Sequence, residues 1–170
     1  TDSIANDNLK YIVNDYNRNL EVLSRDSIAE VTEEVYHGKY IFSSEREIKK
    51  VLNKKLDDKN KEYEKKYGVS ISSNVLSIKN TDDPINLEVT THLKISKNKD
   101  RFSGNLKSIT SVEGLKDPLP YAILTPYSGI WHDDKKIHYG TTLTTYLTAH
   151  GIDKPEGYLG ATSPLIKKKC

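Results

Sequence analysis

Residues 7–36 read DNLKYIVNDYNRNLEVLSRDSIAEVTEEVY, and the parsing of this run decides the fold. Leu9, Val13, Tyr16, Leu20 and Leu23 recur at intervals of four, three, four and three. Such spacing lines up on one side of a helix. Beyond Ser27 the apolar line slips by one residue and resumes at Ile28, Val31 and Val35. No Gly or Pro interrupts the run. His37-Gly38 supplies a stop, because glycine takes the left-handed conformation that follows a last helical turn. The pattern predicts a first helix over roughly Ser3 to His37, about 45 Å long for about thirty residues.

Working outward, Ser44 followed by Glu47 reads as a capping box that starts a second helix. Its apolar marks are Ile48, Val51, Leu52, Leu56, Tyr63 and Tyr67, and Gly68 ends it. Residues 1–37 carry eight acids and three bases, a net of −5, while residues 45–67 carry six acids and nine bases, a net of +3. The two helices are expected to pair antiparallel. Exposed ion pairs are each worth only about 0–1 kcal/mol, so apolar packing must hold the pair together.

After Gly68 the period becomes two. Val69 to Ile71 and Leu76 to Ile78 give short strand signals around Ser73-Asn74. Ile85, Leu87, Val89, Thr91, Leu93 and Ile95 then alternate with polar residues, which marks a strand with one buried and one wet face. His92 falls on the wet face. Lys97 to Asp100 is a polar turn, and Phe102 to Val112 reads as the antiparallel return, with Gly104 a candidate bulge. Helices followed by a meander make an α+β fold. Residues 1–68 form the helical pair; residues 69–170 form an antiparallel sheet with an irregular C-terminal extension, as one folded unit with the helices. Within that extension Tyr121 to Leu124 suggests a short strand, and Thr141 to His150 leans toward helix.

Composition narrows the function classes. Of 170 residues, 35% are apolar, so the core is small, and charge is abundant but nearly balanced at +2. That balance argues against a nucleic-acid binder, which concentrates basic charge. No run reaches the roughly 18–20 apolar residues of a membrane span. There is no Met, from which we expect a processed chain or a piece of a longer one, any membrane anchor lying ahead of Thr1. The single cysteine, Cys170, has no internal disulfide partner.

No catalytic signature is present: no G-x-S-x-G elbow, no P-loop and no G-x-G-x-x-G. The expectation is a non-enzyme without a cofactor. His132, Asp133, Asp134 and His138 are the one dense set of metal-ligand types, but their spacing matches no zinc signature and a charged turn accounts for them. Tyr121, Tyr127, Trp131, Tyr139 and Tyr146 form the densest aromatic zone, the last four a candidate ligand pocket set against a cap on the sheet core. The line Leu9, Val13, Tyr16, Leu20 and Leu23 is a candidate interaction seam, shared between the domain's own core and a neighbouring copy.

The stretch Ser111-Val-Glu-Gly-Leu-Lys-Asp-Pro-Leu-Pro120 is similar to a segment, Val-Glu-Gly-Leu-x-Asp-Pro-Leu, of archaeal surface proteins anchored in the membrane by a pilin-like N-terminal helix. Val112, Glu113, Gly114, Leu115, Asp117, Pro118 and Leu119 match it, and the preceding order of helix, Lys-rich helix and alternating strands resembles theirs over residues 1–125. The resemblance implies a soluble outer domain displayed outside the membrane, with no catalysis. The expected function is a structural or interaction domain that associates with protein, itself included, through the N-terminal helix. The rival is an extracytoplasmic sensor domain with its pocket around Trp131.

Overall fold

A computed structural model describes residues 3–4, 7–37, 39, 43–82 and 86–115. The fold is α+β. In chain order the elements are β1 (Ser3–Ile4), α1 (Asp7–Tyr36), α2 (Ser44–Tyr67), β2 (Ser70–Asn80), β3 (Asn86–Lys97) and β4 (Asp100–Ser111). The strands form one antiparallel sheet in the order β1-β4-β3-β2. Both helices cover one face, α1 over β4 and α2 over β2. One apolar core joins α1, α2, β2, β3 and β4. The sequence expectations for Tyr121 to Leu124, Thr141 to His150 and the irregular extension lie outside the described residues.

Helix α1 begins at Asp7, four residues later than the spacing suggests. Ser3 and Ile4 instead pair with Ser103 and Phe102 at the sheet edge, a contact about a hundred residues away that no local pattern reveals. The slip in the apolar line has a physical reason. Ser24 and Ser27 are fully buried there, so two small polar residues carry the buried face across the slip. The Ser27 hydroxyl donates to the Leu23 carbonyl at 2.7 Å. Ile28, Val31 and Val35 then carry the buried face to the helix end.

Helix α2 is capped by Ser43, one residue before the expected Ser44. Ser43 has the extended backbone of a cap (φ −141°, ψ 116°) and its hydroxyl accepts from the Arg46 amide at 3.4 Å. Ser44 lies in the first turn and is buried. Gly68 ends the helix in the left-handed conformation (φ 63°), with its N–H on the Glu64 carbonyl. The helices run antiparallel, as Asp15 meeting Tyr63 and Glu30 meeting Lys55 require.

Residues 70–80 form one strand, not two short ones. The apparent break at Ser73 is a polar side chain with partners inside the fold, described below. The pairing of β2 with β3 is irregular between Val75 and Ser77, which leaves Leu76 as the extra residue of a bulge. Gly104 sits in regular register opposite Leu93, so the expected bulge there is absent. The Lys97-to-Asp100 turn is as expected, with Asn98 in the left-handed region (φ 56°). Leu87, Val89, Thr91, Leu93 and Ile95 of β3 all face the core, as the alternation predicts.

The two sheet edges differ. Along β2, the Val75 amide donates to Asn53 Oδ1, the Ile78 amide donates to Glu45 Oε2, and the Leu76 carbonyl accepts from Lys49 Nζ. Glu45, Lys49 and Asn53 recur every four residues on α2, so one stripe of that helix closes the edge. On the opposite side β1 covers β4 only at Phe102 and Ser103 among the described residues.

The Val112–Leu115 segment is a tight turn closed by the Leu115 amide on the Val112 carbonyl at 3.0 Å. Gly114 takes φ +82°, which a type II turn needs at its third position. Val112 is fully buried and Leu115 packs on the core. Arg25 of α1 donates to the Ser111 carbonyl at 2.6 Å and to the Glu113 carbonyl at 2.8 Å. The first half of the Val-Glu-Gly-Leu segment thus fastens the end of the sheet to the long helix.

Candidate functional site

The expected seam lies inside the chain. Leu9, Val13, Tyr16 and Leu20 are buried, and Leu23 is half-buried against the same core. Their partners are α2 and the sheet, so this line belongs to the chain's own core. The aromatic set Tyr127, Trp131, Tyr139 and Tyr146 lies outside the described residues, as do His132, Asp133, Asp134 and His138.

What the structure brings together at the seam is a polar junction of three elements. The Tyr16 hydroxyl donates to Asn60 Oδ1 at 2.8 Å and lies 2.9 Å from Ser73 Oγ. Asn60 Nδ2 donates to the same Ser73 oxygen at 3.0 Å. Helix α1, helix α2 and strand β2 each supply one member of this ring. Burial holds the Tyr16 phenol protonated and pushes its pKa up to about 12, against the pull of its two hydrogen bonds.

About one turn further along α2, the Tyr63 hydroxyl donates to Asp15 Oδ2 at 2.6 Å and accepts from Asn19 Nδ2 at 2.7 Å. The Tyr63 bond, with Arg18 beside it, holds the Asp15 carboxyl below its usual range despite some desolvation. Burial, then the bond to Asp15, pushes Tyr63 upward.

The rings of Tyr16, Tyr63, Tyr67 and Tyr11 form a row, with neighbouring centroids 5.3, 5.6 and 5.6 Å apart. The row runs from the core to the surface, where Tyr11 is 53% exposed. Lys66 lies over the Tyr67 ring at 5.1 Å. Val22, three turns beyond Tyr11 on the same side of α1, is 59% exposed, and Arg18 stands between them. Sequence reading missed this side because Tyr11 and Val22 fall off the buried line. Their shared spacing of eleven residues is the signal that was available.

The uncovered face of the sheet is polar except at Ile109, which lies exposed opposite Glu88. Its central row is Asn74, His92 and Asn105, with His92 Nδ1 2.7 Å from Asn105 Oδ1 and Nε2 3.4 Å from Ser103 Oγ. His92 is on the wet face, as the alternation predicts. Among the described residues no helix is long and apolar enough to cross a membrane, and no three His, Cys, Asp or Glu side chains converge on a metal position. No family model, no curated protein and no solved structure matches this chain.

Proposed function

We propose that this chain is a non-enzymatic structural or interaction domain, the outer part of an anchored, pilin-like archaeal surface protein displayed outside the membrane. It contacts protein, a second copy of itself first, through the solvent side of α1. The observation that supports this reading is the pair of outward apolar residues, Tyr11 and Val22, on a helix whose opposite side is already occupied by core. Tyrosine is a favoured anchor of protein interfaces, and Tyr11 is braced from behind by Tyr67. A braced ring loses little side-chain freedom on contact.

The test is native mass in solution for the parent chain and for Tyr11→Glu/Val22→Glu. The parent is expected to associate and the variant to be monomeric with an unchanged circular dichroism spectrum. A parent that stays monomeric at high concentration would sink this reading.

A further inference from the structure

We propose that the uncovered sheet face binds an acidic polysaccharide, with one sugar-acid unit seated between Lys94 and Arg101. An open basin of about 470 Å³ lies there, lined by Ser70 and Ser72 of β2, Lys94, Ile95 and Ser96 of β3, and Arg101, Phe102 and Ser103 of β4. Its volume falls in the range of small-ligand sites, about 300–1,000 Å³. The lining is unusual for such sites. Beside Ile95 and Phe102, whose side chains are buried in the core, it offers four hydroxyls, a guanidinium and an ammonium. Hydroxyls on both sides suit a ligand that is itself polyhydroxylated, and the two cations suit a carboxylate, sulfate or phosphate carried on it.

Charge extends the argument beyond the basin. Register places Lys79, Lys94, Arg101 and Lys107 on this face, with Glu88 as the one acid among them. Among the described residues none of the four cations has an ion pair or hydrogen bond. Lys107 lies opposite Thr90, four residues along β3 from Lys94 and hence about 13 Å away along the strands. A polymer leaving the basin therefore meets a further cation for a further acid group. On the outward side no aromatic side chain stands in the rows between Ser70 and Lys79, Phe102 being buried in the core, so the face offers bases nothing to stack on, which single-stranded nucleic acids require. The site is separate from the α1 contact, because the helices cover the opposite face. Either proposal can fail without the other.

The experiment is calorimetric titration of the whole chain with oligogalacturonate and with dextran sulfate, neutral dextran and oligo(dT) being the comparisons. Binding is expected for at least one acidic polysaccharide and none for neutral dextran; which acid binds separates carboxylate from sulfate recognition. Lys94→Glu/Arg101→Glu and the milder Lys94→Gln/Arg101→Gln should each weaken binding about tenfold or more, as loss of two charge-assisted contacts does. Lys61→Glu/Lys65→Glu makes the same charge change on exposed positions of α2 and should alter affinity less than about twofold. The proposal is overturned if neither acidic polymer binds, if neutral dextran binds as well, if both Glu pairs weaken binding equally, or if oligo(dT) binds as tightly.

Discussion

Four hydroxyls in the core have no hydrogen-bond partner among the described residues: Ser24, Thr91, Ser108 and Thr110. Ser73, with two partners in its ring, shows what a satisfied one looks like. A buried polar group left unpaired costs about 1–3 kcal/mol, whereas an apolar group of the same shape costs nothing. Thr91→Val and Thr110→Val keep the branched shape and remove the hydroxyl. Each should raise stability by about 1 kcal/mol in denaturant titration; a fall in the midpoint would mean the hydroxyl is bonded in solution. At this scale the sequence was partly informative. Alternation placed Thr91 on the core side, but nothing local distinguishes an unpaired Thr91 from a paired Ser73, since the partners of Ser73 are 13 and 57 residues away. The cap of α2 shows the same limit: two adjacent serines compete, and only the extended backbone of Ser43 decides between them.

Elements were legible where periodicity ran long. Helix α1 and strand β3 each keep one face buried through their length, so their spacing specified both type and orientation. Strand β2 was not legible as one piece, because Ser72-Ser73-Asn74 resembles a turn until the inward Ser73 finds Tyr16 and Asn60. The candidate site was legible only in part. The line through Leu9 and Leu20 was recognised as special, but sequence alone leaves core and interface equivalent. Burial settles it, with Leu20 only 1% exposed. Leu20→Glu should therefore unfold the chain, as an unpaired charge in the core costs more than about 4 kcal/mol. Thermal circular dichroism checks this: a native-like melt for Leu20→Glu would show that this position is not core.

For the whole molecule, the tyrosine junctions tie stability to pH. Tyr16 and Tyr63 hold their protons more tightly in the fold than an ordinary phenol with a pKa of about 10. A raised folded pKa contributes stability that is complete below the unfolded value and is lost as pH rises toward the folded one. The melting temperature should accordingly fall between about pH 10 and 12, in step with tyrosinate absorbance. Tyr16→Phe should make that decline shallower. Asp15 acts in the opposite sense: its lowered pKa contributes stability above the normal carboxylate range, and that contribution fades in acid. A melting temperature unchanged up to about pH 12 would contradict the alkaline account. The unequal sheet edges also matter at this scale. Glu45, Lys49 and Asn53 close the β2 side, while β4 beyond Ser103 has no strand beside it among the described residues. Two copies that joined strand to strand along β4 would turn only closed margins outward. Growth by that route would stop at a pair, because α2 already occupies the backbone groups of the β2 edge.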